Sequence, residues 1–454
     1  MNLNENIFRA NDIRGVAYED LTEEVIINLG KALGSEALDR GLKEFIIGRD
    51  GRLSSPDIFE WLSFGVISSG CNVIDIGIVT SPMFYHATFF LSSSSGVIIT
   101  GSHNPREYNG FKIVFQNHST SSEEITLLKE RIINSDFRNG KGFLTNENIE
   151  ESYINRIVES INIEKKLEIS IDCGNGAAGI VAKKVYERLG CNVIELYGEV
   201  DGSFPNHHPD PSKIENMQDL INSVGINNSS VGLAFDGDAD RLGVISPEGE
   251  MIYPDRQMIL FARQVIESNP NSKIVFDVKC SKLLSEAITN LGGEPLICKT
   301  GHTFIKQKIR ETGAQLGGEM SGHIFFNDKW PGFDDGIYAG ARMLEIIAAS
   351  KEKNIFNTVP NLISTPEINI STSDDKKFEI VEKFIENSHF DNARIIDIDG
   401  IRVEFKEGWG LLRASNTSPV LVLRFEAETE IDLINIKNIF FNNLKIIKND
   451  IKEF

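Results

Sequence analysis

Apolar runs and polar breaks follow one grammar three times along the chain. In the first case Phe45-Ile46-Ile47 leads into the polar loop Gly48-Arg49-Asp50-Gly51-Arg52. A helix follows, with Ser55 as its N-cap and Pro56 at its first position, where a missing N–H costs nothing. It closes at Gly70, and residues 71–76 read as the next strand. In the second case 169–171 lead into Asp172-Cys173-Gly174-Asn175-Gly176, a helix closes at Leu189-Gly190, and 191–196 follow. In the third, 273–276 lead into Asp277-Val278-Lys279, a helix closes at Leu291-Gly292, and 294–298 follow. Glycine stands at each helix end, where a left-handed C-terminal cap favours it. Each unit continues into one more strand that ends in a dense polar loop: 100–109, 236–241 and 317–323. The repetition predicts three related α/β domains, each presenting a loop at the carboxyl end of a strand.

From about residue 361 the grammar changes. Residues 367–371 read as a strand and 375–387 as a helix. Ile396/Ile398 and Ile401/Val403/Phe405 alternate around Asp399-Gly400, a hairpin signal. A strand, a polar loop, a further strand and a final amphipathic helix predict a smaller α+β domain. Residues 201–212, Asp-Gly-Ser-Phe-Pro-Asn-His-His-Pro-Asp-Pro-Ser, hold three prolines and no periodicity. They read as a long ordered connection within the second domain, or as a surface-crossing segment.

Composition acts mainly by exclusion. The chain has 454 residues, of which 41% are apolar and 25% charged, as in ordinary globular proteins. At roughly 100–200 residues per domain that length suggests three or four domains. No apolar run approaches the ~18 residues of a membrane span. The start, Met1-Asn2-Leu3-Asn4-Glu5-Asn6, has neither the basic region nor the apolar core of a signal peptide. Cys71, Cys173, Cys191, Cys280 and Cys298 contain no C-x-x-C pair. They predict reduced thiols and a cytoplasmic protein. Lys+Arg 46 against Asp+Glu 66 gives −20, which disfavours nucleic acid or an anionic membrane as partner. Small anionic substrates remain open if basic residues converge locally.

Four loops carry candidate chemistry. Thr100-Gly101-Ser102-His103-Asn104-Pro105 sets a serine beside a histidine at a strand end, as in a nucleophile or phosphate carrier. It also has the composition of a plain turn. Lys112 downstream reads as a solvated strand residue or a phosphate contact. Asp236-Gly237-Asp238-Ala239-Asp240-Arg241 follows an apolar strand. Three carboxylates so close repel one another, and a divalent cation with oxygen ligands, Mg²⁺ or Ca²⁺, would offset them. An EF-hand is excluded, because Arg241 stands where its glycine should and Pro247 where its last glutamate should. Arg241 suits a phosphate sharing that metal. In the third loop, Gly317-Gly318-Glu319-Met320-Ser321-Gly322-His323, Glu and Ser suit sugar hydroxyls and His suits proton transfer. Upstream, Lys299-Thr300-Gly301-His302-Thr303 opens a helix, as an anion site or as a plain cap by Thr300 or Thr303. The fourth loop, Arg413-Ala414-Ser415-Asn416-Thr417-Ser418, has the composition of a phosphate clamp or of a polar turn. A rival is Gly174-Asn175-Gly176-Ala177-Ala178-Gly179, which fits the dinucleotide fingerprint of an oxidoreductase, with Glu195 near the ribose position. That fingerprint leaves the other loops unexplained.

Taken in order, the four loops resemble the α-D-phosphohexomutase family, and most closely its phosphomannomutase/phosphoglucomutase branch. The resemblance runs from Phe8-Arg9-Ala10-Asn11-Asp12-Ile13-Arg14-Gly15 to the loop at 413–418. It implies three α/β domains with mixed sheets and a C-terminal α+β, TATA-binding-protein-like domain around a central cleft. The expected boundaries are 1–146, 147–250, 251–362 and 363–454, carrying in turn a phosphoserine, a metal, a sugar and a phosphate loop. It implies that Ser102 is phosphorylated and that Asp236, Asp238 and Asp240 hold Mg²⁺ together with the serine phosphate. Lys112 and His323 match its proton-transfer candidates, with Arg14 and His103 beside the serine. Lys279, Arg241 and His302 match contacts to the sugar phosphate, and Glu319 and Ser321 match the sugar-hydroxyl readers. Arg413, Ser415, Asn416 and Thr417 match the distal phosphate clamp. Asn11 stands where relatives often carry Tyr, and Ala239 where many carry Gly. The reaction implied interconverts hexose 1- and 6-phosphates, of mannose and/or glucose, through a hexose 1,6-bisphosphate intermediate and activator. Phosphoglucosamine mutases usually differ at Met320 and form the runner-up. The partners expected are small hexose phosphates, with no nucleic acid and no membrane, in a monomer or weak dimer.

Overall fold

The computed structural model describes residues 3–9, 12–415, 418–449, 451–452 and 454. Asn11, Asn416 and Thr417 lie outside the described residues.

The predicted unit appears three times with one topology. In the first domain Glu44–Arg49 lies parallel to Asn72–Ile78 on one side and to Gly96–Ile99 on the other. In the second, Glu168–Asp172 lies between Asn192–Leu196 and Val231–Phe235, again parallel. In the third, Lys273–Asp277 lies between Glu294–Cys298 and Leu316–Gly318, also parallel. The first strand of each unit is therefore central, and chain order reverses across it. Loops leaving the carboxyl ends of such strands converge at that switch point. Antiparallel additions make the first two sheets mixed. Ile13–Val16 and Gly96–Ile99 both pair with Tyr108–Phe115, and Leu242–Ile245 pairs with Val231–Phe235.

The helices differ from expectation in detail. The first-unit helix is Ser55–Ser69, with Ser54, not Ser55, at the cap position. Ser55 instead donates its hydroxyl to Asp50 Oδ1 at 2.7 Å. The second-unit helix is short, Ala182–Arg188, preceded by a 3-10 turn Ala177–Ile180. Gly70, Gly190 and Gly292 all take positive φ after their helices. Residues 201–212 contain no helix or strand.

The C-terminal domain is an antiparallel sheet in the order Ile363–Ser364, Val420–Ala427, Gly408–Ala414, Ile401–Glu404, Arg394–Ile396, with Ile368–Ser371 also on Val420–Ala427. Helices Asp374–Asn387 and Glu430–Ile447 bury Val381, Phe384, Leu433, Ile436 and Phe440 in one core with Val403, Leu412, Leu423 and Phe425.

The chain divides into two compact units. One comprises Met1–Tyr253 and Ser321–Phe356, the other Pro254–Met320 and Asn357–Phe454. In the second unit the loop after Lys273–Asp277 is held by arginines of the C-terminal sheet. Arg402 donates to Val278 O at 2.7 Å and Cys280 O at 2.5 Å, and Arg424 donates to Lys279 O. Arg402 lies 3.9 Å from the Trp409 ring centroid, and Trp409 packs with Val278 and Ile297. All five cysteines are free and buried, and no helix of the described residues is long and apolar enough to cross a membrane.

Candidate active site

In the first unit the serine loop and the aspartate loop meet. Ser102 is buried at the carboxyl end of Gly96–Ile99, with φ +47. Its Oγ donates to Asp236 Oδ2 at 2.9 Å and lies 3.1 Å from His103 Nδ1. Asp236, Asp238 and Asp240 are fully buried, and each offers one oxygen within 4.8 Å of the others. Asp238 Oδ1 and Asp240 Oδ1 are buried without a hydrogen-bond partner among the described residues. Three crowded carboxylates with unsatisfied buried oxygens are the donor set of a hard divalent cation, so the residues fit a metal.

Lys112 is not a solvated strand residue. Its Nζ is buried and donates to Asp238 Oδ2 at 2.6 Å and to Asp240 Oδ2. Against burial, those two carboxylates hold the Lys112 ammonium well above its ordinary range. Asp238 is held low against burial by Lys112 and by the Ser81 hydroxyl, which donates at 2.6 Å. Asp236 moves the other way: burial and the charges of Asp240 and Asp238 push its carboxyl well above the usual range. Burial and the nearby cations Arg241 and Arg14 keep His103 well below its usual value, so its imidazole is neutral.

Arg241 and His323 form a bridge between two chain segments, with Arg241 Nε 3.1 Å from His323 Nε2. On its other side His323 Nδ1 faces Asp334 Oδ2 at 3.1 Å and Asp240 Oδ1 at 3.4 Å. Arg14 pairs with Asp12 at 2.5 Å. Ser321, also in this unit, has a buried Oγ without a hydrogen-bond partner among the described residues.

The remaining candidates belong to the second unit. Lys279 Nζ donates to Glu367 Oε1 at 2.7 Å, and Glu367 and Asp277 raise its ammonium against burial. The helix His302–Thr312 is capped by neither threonine. Thr300 Oγ1 donates to Asp277 Oδ2 at 3.0 Å, and its backbone N–H donates to Asp399 Oδ2 at 3.0 Å. Glu319 accepts the Gly301 N–H. Arg413 Nε donates to the same Asp399 oxygen at 2.9 Å, while its Nη2 is buried without a hydrogen-bond partner among the described residues. Ser415 accepts the Ser418 N–H at 3.1 Å.

Ser81 and Asp334 were not singled out in the sequence. Ser81-Pro82 looks like any helix start, and Asp334-Asp335 like any acidic turn. The dinucleotide fingerprint dissolves in the structure. The N–H groups of Gly174, Asn175, Gly176 and Ala177 donate to Asp172, Tyr197, Cys173 and Gly237, so none is left for a pyrophosphate.

Comparison with known proteins agrees with this geometry. Family models for phosphoglucomutase/phosphomannomutase match in order: alpha/beta/alpha domain I at 5–139, domain II at 151–249, domain III at 253–364 and the C-terminal domain at 367–441. A phosphomannomutase/phosphoglucomutase of Pseudomonas aeruginosa is 50% identical over 444 residues, 97% of this chain and 96% of that protein. A phosphoglucomutase of Neisseria gonorrhoeae is 46% identical over 443 residues, 96% of each chain. The crystal structure of a phosphoglucomutase/phosphomannomutase family protein from Burkholderia thailandensis superposes with a TM-score of 0.95 at 42% identity, covering all of both chains. Matched domain by domain and nearly end to end, the chain belongs to the phosphoglucomutase/phosphomannomutase family.

Proposed function

We propose that the chain interconverts the 1- and 6-phosphates of mannose and/or glucose, through a phosphorylated Ser102 and a hexose 1,6-bisphosphate. The observation that carries this reading is the Ser102 hydroxyl, 2.9 Å from Asp236 within a buried three-aspartate cluster. Asp236, Asp238, Asp240 and the serine phosphate would hold Mg²⁺, which supplies charge neutralisation for a transferring phosphoryl group.

Ser102 gives its phosphoryl group to O6 or O1 of the bound monophosphate. The bond from phosphorus to Ser102 Oγ breaks, and a bond from phosphorus to the sugar oxygen forms. The hydroxyl proton leaves for a neighbouring base. Lys112, charged between two carboxylates, acts here as a cation near the transferring group, which leaves His323 as the better proton acceptor. Asp334 behind His323 Nδ1 supports that role by orienting the ring. Neutral His103, beside Ser102 Oγ, suits the return step, in which the serine hydroxyl must lose its proton. Lys279, His302, Arg413, Ser415, Asn416 and Thr417 bind the phosphate that is not reacting. Glu319 and Ser321 read the sugar hydroxyls, and Arg14 and Arg241 add charge beside the serine.

Protein purified from cells should carry phosphate on the peptide containing Ser102, seen as a mass gain. Ser102→Ala should keep the fold and still bind hexose phosphate. It should lose most turnover with mannose and glucose 1-phosphates, and added glucose 1,6-bisphosphate should not restore the rate. Near-normal turnover by Ser102→Ala would remove the serine from the chemistry. Release of inorganic phosphate at the turnover rate would indicate a phosphatase instead.

A further inference from the structure

Arg52 is a buried arginine, 2% exposed, whose guanidinium serves the backbone of a single loop. Nη2 donates to Ser102 O at 2.8 Å and Asn104 O at 2.7 Å. Nη1 donates to Pro105 O at 2.7 Å and Tyr108 O at 2.9 Å. Nε lies 3.3 Å from Asp50 Oδ2, and that same oxygen accepts the Gly101 N–H at 3.1 Å. Gly101 is what lets the guanidinium in, because a Cβ there would stand 2.3 Å from Arg52 Cζ. The segment 201–212 covers the arrangement from outside. The Phe204 ring centroid lies 5.2 Å from Arg52 Cζ, and His208 donates Nε2–H to the His103 carbonyl at 2.5 Å.

A planar fork of fixed donors matches carbonyls gathered around it in a way that a single ammonium cannot. The carbonyls gathered here belong to Ser102 and its neighbours. Ser102 itself holds a positive φ that a residue with a Cβ seldom takes unless its surroundings impose it. We infer that Arg52 is a positioning residue for phosphoryl transfer. Its guanidinium fixes the serine loop so that Ser102 Oγ, and a phosphate on it, stays aimed at the aspartate cluster, with Phe204 and His208 as outer braces. This rests on Ser102 being the phosphoryl carrier.

Arg52→Lys keeps a cation beside Asp50 and removes the fork. With glucose 1-phosphate as substrate and glucose 1,6-bisphosphate in excess, kcat should fall about 100-fold, the size expected when a reacting group moves by roughly 1 Å. KM should stay within about threefold, because the proposed sugar-phosphate contacts lie on other loops. Phosphate uptake at Ser102 from glucose 1,6-bisphosphate, followed by intact mass, should slow by the same factor. A merely structural role would lower the melting temperature and the number of active molecules, yet leave kcat per phosphorylatable serine unchanged. That result would overturn the inference, as would KM rising in step with the fall in kcat. If Arg52→Lys does not fold, His208→Leu, which has no N–H to donate to the His103 carbonyl, decides. Losing one hydrogen bond to the loop should lower kcat about fivefold at constant KM, and an unchanged kcat overturns the inference. Wild-type protein that never takes up phosphate at Ser102 would remove the carrier reading on which it rests. Phosphorylated wild type with normal kcat in both variants would overturn this inference alone.

Discussion

At the scale of single residues, Lys112 changes what the aspartate loop means. Three like charges alone predict that neutralising one would relieve repulsion and stabilise the protein without metal. With Lys112 between Asp238 and Asp240, the sign reverses. Asp238→Asn strips a buried ammonium of one partner and Ser81 of a charged acceptor. Breaking a buried pair outweighs the relief, so we expect a loss of roughly 1–3 kcal/mol in urea unfolding with EDTA present. The folded Asp238 is held below its unfolded value, so its contribution is present above about pH 4. It should fade as the pH falls below that, and the gap between wild type and variant should close. A variant as stable as wild type at pH 7 without metal would mean that Lys112 does not hold Asp238. The same variant should lose Mg²⁺-dependent activity. The sequence marked Ser102, His103 and the aspartates because their chemistry is local and crowded. It could not mark Arg52 or Ser81, whose partners lie far along the chain, or Asp334, whose partner His323 is near in sequence but nothing local pairs the two; the neighbours of all three look like ordinary loop and helix-start residues.

At the scale of elements, strand, loop, helix and glycine were legible because each leaves a local trace. Alternation, a proline at a helix start and a glycine at its end need no tertiary information. The errors fall where another side chain takes the hydroxyl that a cap would use. Ser55 was a plausible cap, but Asp50 takes its hydroxyl. Thr300 was another, but Asp277 takes its hydroxyl. Helix Glu23–Asp39 packs on Ser55–Ser69 through backbone, which no pattern of apolar residues reveals. A Cβ on Gly30 would lie 2.3 Å from Leu62 O, and one on Gly65 would lie 2.3 Å from Ile27 O. Helix propensity would make Gly30→Ala stabilising by up to about 1 kcal/mol. Overpacking against a backbone carbonyl should win, giving a net loss of roughly 1–3 kcal/mol. The check is a lower urea midpoint at an unchanged slope, and a raised midpoint would show that the helices can part without cost.

At the scale of the whole molecule, a chain of net charge −20 must gather anions with local cations. On the reading proposed above, those cations come from distant parts of the sequence: Arg14, Lys112, Arg241, Lys279 and Arg413. The chain passes between the units after residues 253, 320 and 356, so neither is one continuous piece. A fragment 357–454 contains a single tryptophan, Trp409, and lacks Val278 and Ile297, which help bury it. Its emission should lie to the red of Trp409 in a full chain whose other two tryptophans are replaced by Phe. Equal emission would mean that the sheet buries Trp409 unaided. The arginine hold on the Lys279 loop also has a tempo. The carbonyls of Val278 and Cys280 are bound by Arg402, which is 124 and 122 residues further along. At the usual ~5–20 residues per second of synthesis, roughly 6–25 s pass between the making of that loop and of the side chain that completes it. For that interval water must serve the loop's carbonyls. A ribosome paused before residue 402 displays a third domain that its own residues cannot finish.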